Sequence, residues 1–215
     1  MKLRVLLADD HHLIREALRI MIEKDPTMTV VAESGIGLDV VKLARDTHPD
    51  VVCMDINMPG MNGIDTTRRL IAACPTIKVI GLSAFTDQRY VVEMLDAGAL
   101  GYVTKASAGD QLLRAIKAVQ NGQEYLCPHA AGAVKYTAYD KKTHQEPSGE
   151  ASLSSRGRQV LQLVAEGHSS TEISAFMNIA PSTVEVHRRN IARKLDLHSV
   201  AELTKFAVRS GLTVG

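Results

Sequence analysis

The sequence predicts two domains of different class: an α/β domain with a doubly wound, five-stranded parallel sheet, followed by an all-α domain of four helices. Up to about residue 121, short runs of leucine and β-branched residues alternate with helical patterns. Five strands that alternate with five helices imply a parallel sheet covered on both faces, because right-handed crossovers place helices there. After residue 152 only helical patterns remain, and they predict the second domain.

The strands of the first domain are predicted at short, continuous apolar runs, which are typical of strands buried on both faces. The predicted strands are Leu3–Ala8, Thr29–Ala32, Val51–Met54, Ile77–Leu82 and Leu100–Val103. Between these runs, apolar residues recur with the spacing of an amphipathic helix. The predicted helices are His12–Lys24, Leu38–Thr47, Ile64–Ala73, Asp87–Ala97 and Ala108–Gly122.

A polar segment, DKKTHQEPSGEAS (residues 140–152), carries Pro and Gly and is predicted to belong to a linker. A short helix over Ala130–Tyr139 can precede it. The expected division is therefore 1–124 for the first domain, 125–151 for the linker and 152–215 for the second domain. The predicted helices of the second domain are Ser155–Glu166, Ser170–Met177, Ser182–Leu195 and Ser199–Ser210.

The charge and cysteine content exclude several classes of protein. The net charge is +1, so any contact with nucleic acid must be local. Residues 1–149 hold 17 basic and 18 acidic side chains, whereas residues 150–215 hold 8 and 6. The three cysteines are far apart and form no CxxC, which favours reduced thiols in a cytoplasm. No apolar run is long enough to cross a bilayer, so no membrane partner is expected.

Charged and polar side chains follow the predicted strands at their carboxyl ends. Asp9 and Asp10 follow the first strand, Asp55 the third, Ser83 the fourth and Lys105 the fifth. In an open parallel sheet these ends share one edge, where ligands bind. Three clustered carboxylates repel each other unless a cation lies among them, and hard oxygen ligands suit Mg²⁺. A carboxylate can also accept a phosphoryl group, so the pattern predicts phosphoryl transfer at this edge.

Other interpretations exist for each of these residues taken alone. An Asp at a strand end often caps the next helix or turn, and a single Lys after a strand is usually solvated. His11 and His12 raise the possibility of a transition-metal site, which we disfavour because adjacent side chains at a helix start point in different directions. Cys53 is better explained as a buried strand residue than as a redox sensor.

Four motifs resemble the receiver domain of two-component response regulators: ADD (8–10), MDINMPGMNG (54–63), LSA (82–84) and GYVTKA (101–106). The stretch AIKAVQNGQEYLCP (115–128) resembles the end of the receiver in the NarL/FixJ subgroup. The resemblance implies a flavodoxin-like fold for the first domain and a sensor histidine kinase as its partner.

The resemblance also implies roles for the residues at the sheet edge. Asp55 is then the phosphoacceptor, Lys105 and Ser83 hold the phosphoryl group, and Tyr102 is the aromatic residue that moves with Ser83. The implied ligands of Mg²⁺ are Asp9, Asp10, Asp55 and the main-chain carbonyl of Asn57. Two departures, Ser83 for the commoner Thr and Ala106 for a common Pro, remove no needed donor, although Ala106 leaves open whether the Lys105 peptide is cis.

The second domain contains the pattern of a helix, a short turn and a second helix in HSSTEISAFMNIAPSTVEVHRRNIARKL (168–195). Ser169 and Glu172 predict a capping box, Asn178 lies at the turn, and Pro181 suits the first position of the second helix. On that helix, an apolar face consists of Val184, Ile191 and Leu195. The opposite face consists of Val186, Arg189, Asn190 and Arg193, with His187, Arg188 and Lys194 at its flanks.

This polar face has two interpretations that the helix alone supports about equally. It can be a solvated cationic face, or it can read DNA, because Arg recognises guanine and Asn recognises adenine in the major groove. Residues 153–197 resemble the LuxR-type helix-turn-helix, which favours DNA. The resemblance implies base contacts at Glu185, Val186 and Arg189, backbone contacts at positions such as Thr183, His187 and Lys194, and dimerisation through the last helix.

Three departures from the LuxR-type pattern bear on the second domain. Gly157 replaces a Glu that would complete a capping box with Ser154. The start of the first helix is therefore expected to fray, with a loss of stability of about 1 kcal/mol or less. Ala180 replaces a capping Ser, at a cost of ~1 kcal/mol. Glu185 replaces a common Lys, so base preference does not carry over from relatives that have the Lys.

Together these features predict a cytoplasmic, phosphorylation-controlled transcriptional regulator that binds double-stranded DNA as a homodimer. We expect no enzymatic activity beyond Mg²⁺-dependent self-phosphorylation from a donor and slow autodephosphorylation. One alternative is a phosphohydrolase, but such enzymes typically carry a second acid two residues after the nucleophile, where this sequence has Asn57. The other is a DNA-binding protein that does not respond to phosphate.

Overall fold

The computed structural model of the chain describes residues 2–84, 88–132 and 153–213. It divides into two compact units, one built on a sheet and one on the C-terminal helices. The strands are β1 (Leu3–Ala8), β2 (Met28–Ser34), β3 (Val51–Asp55), β4 (Lys78–Ser83), β5 (Gly101–Thr104) and β6 (Tyr125–Leu126). The helices between the strands are α1 (His12–Glu23), α2 (Gly37–Thr47), α3 (Gly63–Ala73), α4 (Gln88–Asp96) and α5 (Ala108–Gln120).

All neighbouring strands are parallel, in the order β2-β1-β3-β4-β5-β6. The predicted doubly wound parallel sheet is therefore confirmed, but the predicted count of five strands is wrong. The sixth strand is only two residues long, so it carries no alternating pattern that a sequence would reveal. It pairs Tyr125 with Gly101 and Leu126 with Tyr102, and it lies in the segment predicted to be linker. A helix, α6, follows from residue 128 and is described to residue 132; the rest of the helix predicted at 130–139 lies outside the described residues.

The strands are buried on both faces, as their continuous apolar sequences predict. In β1, Val5 and Leu7 join the core beneath α1 and α5, whereas Leu6 and Ala8 join the core beneath α2, α3 and α4. Successive side chains of a strand point to opposite faces, so one apolar run supplies two cores. Each buried leucine or valine contributes about 1.5–3 kcal/mol.

The second unit contains the four predicted helices: α7 (Ser155–Ala165), α8 (Ser170–Met177), α9 (Pro181–Leu195) and α10 (Val200–Arg209). One apolar core joins them, and α7 packs on α9 and α10. The core includes Val160, Leu161, Ile173, Val184, Ile191, Leu203 and Ala207. Across the described residues, no helix combines the length and the apolar character that crossing a bilayer requires.

The helix starts follow their capping residues. The predicted box at α8 is confirmed: Ser169 Oγ accepts a hydrogen bond from the Glu172 main chain at 3.3 Å, and Glu172 accepts one from the Ser169 main chain at 2.8 Å. The second of these bonds lowers the pKa of Glu172. At α7, Ser154 Oγ accepts from the Gly157 N–H at 3.2 Å, so half of the capping interaction survives without a glutamate. Ala180 offers α9 no side-chain cap, as predicted, and Pro181 begins that helix.

Candidate functional site

Asp55 is the last residue of β3, a strand with neighbours on both sides, and only 2% of its surface is exposed. The chain turns back directly after it, because the Gly63 N–H donates to the Ile56 carbonyl at 2.7 Å. A Cβ atom at residue 63 would lie 1.9 Å from the Asp55 carbonyl oxygen. Only glycine therefore allows α3 to begin so close to the strand that carries Asp55. The sequence motif contained this glycine, but its contact with Asp55 was not predicted.

The acidic residues and the lysine predicted at this edge do lie together. Lys105 Nζ is 2.7 Å from Asp9 Oδ2 and 2.9 Å from Asp55 Oδ2. The side chain of Asp9 is 1% exposed and that of Lys105 is 9% exposed, so this contact lies in the interior. Asp10 is more open, with 33% of its side chain exposed. The peptide bond after Lys105 is trans, as are all the described peptide bonds.

Burial and charge set the ionisation of this cluster. Burial raises the pKa of Asp55 to about 7; Lys105 opposes the rise, and the charges of Asp9 and Asp10 add to it. Burial lowers the pKa of Lys105, but Asp55 and Asp9 more than reverse this effect and raise it. Lys105 is therefore a fixed cation that cannot balance three carboxylates. A divalent cation would supply the charge that is missing.

The residues present fit a hard divalent cation. Ligand atoms of Asp9, Asp10, His11 and Asp55 all lie within 4.8 Å of one another. The Asn57 side-chain oxygen is buried and has no hydrogen-bond partner in the described structure. Carboxylate and amide oxygens are ligands that Mg²⁺ accepts. The donor set therefore suits Mg²⁺, and participation of the Asn57 main-chain carbonyl stays a prediction.

A transition-metal site was disfavoured from the sequence, but the structure brings one of the two histidines to the aspartates. His11 Nδ1 lies 2.8 Å from Asp10 Oδ1 and 3.4 Å from Asp9 Oδ1. The reason is local: the His11 N–H donates to Asp9 Oδ1 at 2.9 Å, and this turn brings the imidazole back over the carboxylates. His12 is exposed at the first position of α1.

The remaining residues of the sheet edge also occupy the predicted elements. Ser83 ends β4 and is 1% exposed, next to Thr104 in the pairing of β4 with β5. Tyr102 is fully buried in the core that contains Val91 and Met94 of α4. Cys53 is fully buried, and burial raises the pKa of its thiol to about 12. A thiol with that pKa is a poor redox sensor at neutral pH.

In the second unit, α9 separates an apolar face from a polar face as predicted. Val184 and Ile191 are buried and Leu195 is partly buried. Of the predicted DNA contacts, the exposed ones are Thr183, Glu185, Val186, Arg189, Arg193 and Lys194. The partly exposed ones are His187, Arg188 and Asn190. The helix thus presents guanidinium groups and a lysine to solvent.

Glu185 is held by contacts that the sequence did not reveal. The Ser170 hydroxyl donates to Glu185 Oε1 at 2.5 Å and accepts from Arg188 Nη1 at 3.0 Å. Arg188 Nη1 is also 3.8 Å from Glu185 Oε1. The i,i+3 spacing of Glu185 and Arg188 is a signal for their pairing, but Ser170 lies on another helix. On the same face, Arg193 Nη2 donates to Asn190 Oδ1 at 3.1 Å.

Two family models match the chain and together span most of it. Residues 5–117 match the response regulator receiver domain, and residues 151–207 match the bacterial regulatory proteins of the luxR family. The chain belongs to the response regulator family. This response regulator is of the NarL/FixJ type and combines a receiver domain with a LuxR-type helix-turn-helix domain, the combination found in transcriptional regulators of two-component systems.

Known proteins resemble this response regulator over most or nearly all of its length. It is 35% identical over 210 residues to the response regulator UvrY of Escherichia coli K12, which covers 98% of this chain and 95% of UvrY. A LuxR-family response regulator from Aurantimonas sp. SI85-9A1 is 32% identical, with a TM-score of 0.62 over 65% of this chain and 99% of that one. A structure of the response regulator RcsB in complex with DNA has a TM-score of 0.62 over 96% of this chain and 98% of that one. At 22% identity, the RcsB structure is evidence for the fold alone.

Proposed function

We propose that Asp55 accepts a phosphoryl group from the phosphohistidine of a sensor histidine kinase, and that the phosphorylated chain binds operator DNA as a homodimer. The observation that carries the proposal is the position of Lys105 Nζ, within 2.9 Å of both Asp9 and Asp55 at the edge where β1 and β3 end. In the transfer, the bond between phosphorus and the imidazole nitrogen breaks, and a bond between phosphorus and a carboxylate oxygen of Asp55 forms.

Each residue of the cluster has a defined part in this proposal. The metal ligands would be Asp9, Asp10, Asp55 and the main-chain carbonyl of Asn57, and Mg²⁺ would neutralise charge on the transferred group. Lys105 is already next to Asp55 and would pair with a phosphoryl oxygen. The hydroxyl of Ser83, at the end of the neighbouring strand, would donate a hydrogen bond to a second phosphoryl oxygen. Tyr102 would then move into the space that Ser83 leaves.

The switch requires two states of the receiver that differ in their affinity for the phosphoryl group. Ser83 and Tyr102 lie on β4 and β5, and Tyr102 packs in the core beneath α4. Movement of these two side chains would therefore alter the surface formed by α4, β5 and α5. We propose that this change promotes dimerisation of the chain on DNA.

The proposed DNA contacts are the polar face of α9 and its flanks. Exposed Arg189, Arg193 and Lys194 give this helix a local positive charge, although residues 150–215 carry a net charge of only +2. One domain with so little charge makes few phosphate contacts, and a dimer doubles them. The match of residues 151–207 to the luxR family of regulatory proteins supports the same function. The helix α10 is the proposed dimerisation element.

We further propose a receiver that ends close to β6, a linker after it and a DNA-binding domain from about residue 152. A cytoplasmic location fits the three free cysteines. The proposal includes no enzymatic turnover of external substrates, because the second acid typical of phosphohydrolases is Asn57 here. Steady release of phosphate from a phosphomonoester would contradict this part of the proposal.

Phosphorylation is tested directly by incubating the chain with a small phosphoramidate donor and measuring its intact mass. The wild type should gain the mass of one phosphoryl group, and chelation of Mg²⁺ should prevent the gain. Asp55→Asn should not gain it, whereas Asp46→Asn, at an exposed position of α2, should behave as the wild type. Modification of the Asp55→Asn chain would place the phosphoacceptor elsewhere.

DNA binding is tested by operator selection from a random DNA pool, with and without beryllofluoride as a phosphate mimic. The selected operator is then titrated with wild type, Asp55→Ala and the wild type treated with beryllofluoride. We expect the treated wild type to bind most tightly and Asp55→Ala not to respond to beryllofluoride. Equal affinities in all three would mean that the receiver does not control binding.

A further inference from the structure

The imidazole of His11 lies in the acidic cluster, and the proposed phosphoryl transfer does not use it. Its Nδ1 is 2.8 Å from Asp10 Oδ1 and 3.4 Å from Asp9 Oδ1. We propose that His11 is itself a ligand of the divalent cation at this site, so that the site favours first-row transition ions over Mg²⁺. This inference rests on the proposed metal site and adds a nitrogen donor to it.

The distances suit coordination. In an octahedral site with metal–ligand bonds of about 2.1 Å, neighbouring ligand atoms are about 3.0 Å apart and opposite ones about 4.2 Å apart. The distances from His11 Nδ1 to the two carboxylates bracket the first value. All ligand atoms of the cluster lie within 4.8 Å of one another. This limit is only slightly larger than the distance of about 4.2 Å between opposite ligands of an octahedral ion. A small contraction would therefore bring His11, Asp9, Asp10 and Asp55 around one ion.

The two oxygens of Asp9 face different partners. Oδ2 contacts Lys105, whereas Oδ1 accepts from the His11 N–H and lies near the His11 ring. Lys105 therefore occupies one side of the cluster and leaves the other side to His11 and Asp10. That side is open, because the side chains of His11 and Asp10 are 60% and 33% exposed. An ion can reach it from solvent without any opening of the core.

The imidazole of His11 would raise the affinity of the site for some ions more than for others. Imidazole is a borderline donor that suits first-row transition ions, whereas Mg²⁺ prefers oxygen and keeps several waters. Affinity for a given nitrogen–oxygen site rises from Mn²⁺ to Ni²⁺. A ligand role for His11 therefore predicts a site whose ratio of Ni²⁺ to Mg²⁺ affinity depends on the imidazole.

A competing role for His11 is to orient Asp10 by a hydrogen bond without touching the ion. Removal of such an orienting partner weakens binding of every metal by a similar factor, on the order of 10–100-fold. The two roles therefore differ in metal selectivity, and neither depends on the rate of phosphorylation.

The test is calorimetric titration of the full chain with Mg²⁺, Mn²⁺ and Ni²⁺ separately. His11→Ala and His11→Gln should weaken Ni²⁺ binding by roughly tenfold or more and Mg²⁺ binding by less than about twofold. His12→Ala, at the exposed neighbour, is the matched control and should change neither. Asp10→Ala removes a proposed ligand but keeps all 8 histidines. The Ni²⁺ that this variant still binds measures binding to histidines outside the site. Circular dichroism of each variant checks the fold.

A spectroscopic measurement identifies the ligand directly. Mn²⁺ bound to chain labelled with ¹⁵N at histidine should show a nitrogen coupling in pulsed electron paramagnetic resonance, and His11→Gln should abolish it. No coupling, or an equal loss of Mg²⁺ and Ni²⁺ affinity in the His11 variants, overturns the ligand role. Failure of the wild type to bind Mg²⁺ would instead overturn the metal site of the proposed function. If the His11 variants bind Mg²⁺ as the wild type does and keep its ratio of Ni²⁺ to Mg²⁺ affinity, the ligand role of His11 is refuted and the metal site of the proposed function is not.

Discussion

Replacement of Asp55 by asparagine should stabilise the receiver in a pH-dependent way. Burial raises the pKa of Asp55 from 3.8 to about 7. The unfolded chain therefore loses this proton at lower pH than the folded chain does. Stability of the wild type should fall as the pH rises from near 4 toward 7 and should level off above that. Asparagine has nearly the same shape and does not ionise, so the variant lacks this loss.

The size of the effect follows from the same two values. A difference of about 3 pKa units corresponds to about 4 kcal/mol over the full pH range. The part that develops between pH 5 and pH 8 is roughly 2–3 kcal/mol. We therefore expect the stability of Asp55→Asn relative to the wild type to increase by roughly that amount over this interval, in the absence of divalent cations.

Urea unfolding at several pH values, in the presence of a chelator, measures this difference. No tyrosine follows residue 139, and Tyr90 and Tyr102 lie within the sheet unit, so a change in tyrosine fluorescence does not report on the C-terminal helices. Asp46→Asn, on the exposed face of α2, is the control and should show no such trend. A stability difference between Asp55→Asn and the wild type that stays constant from pH 5 to pH 8 would refute the reasoning. Adding Mg²⁺ at pH 8 should stabilise the wild type more than the variant, in which a neutral amide replaces one carboxylate ligand.

Three further changes test other parts of the structure. Gly63→Ala should destabilise the receiver by about 3 kcal/mol or more in urea unfolding, because the new Cβ would lie 1.9 Å from the Asp55 carbonyl oxygen; Gly132→Ala, whose Cβ would meet no atom within 4 Å, should be tolerated. Ser169→Ala should lower the thermal stability of the C-terminal helices by about 1 kcal/mol through loss of the capping box. Arg189→Ala should weaken operator binding by about 1–3 kcal/mol without loss of stability, and equal binding by this variant and the wild type would exclude a DNA contact there.

The sheet and most of the acidic cluster could be predicted because two strong regularities fix them. Continuous apolar runs such as Val51–Met54 identify strands that are buried on both faces, and the parallel order brings their carboxyl ends to one edge. The residues that follow those ends, Asp9, Asp55 and Lys105, then had to lie near each other. Their separations of 2.7 and 2.9 Å depend on side-chain conformations, but their proximity follows from topology.

The contacts that the sequence did not predict depend on local geometry or on pairs distant along the chain. The strand β6 is only two residues long, which is too short to show the alternation of apolar and polar residues that identifies a strand. The orientation of His11 depends on one hydrogen bond from its own main chain to Asp9. The bond between Ser170 and Glu185 joins two helices whose relative packing no local pattern determines. In each case the residue types were visible, and their mutual positions were not.

The acidic cluster contains a lysine that stays charged and a carboxyl group, that of Asp55, that is only partly ionised at neutral pH. The ionisation of Asp55 is therefore linked to cation binding. Lys105 is buried against Asp9 and Asp55 and stays protonated, because the carboxylates raise its pKa. A nucleophilic Asp55 must be ionised, yet with a pKa of about 7 a large fraction is neutral at neutral pH. Any cation that binds the ionised form lowers this pKa, and the two equilibria must shift together. In the proposed phosphoryl transfer, a bound cation would therefore help to make Asp55 reactive, in addition to neutralising charge on the transferred group.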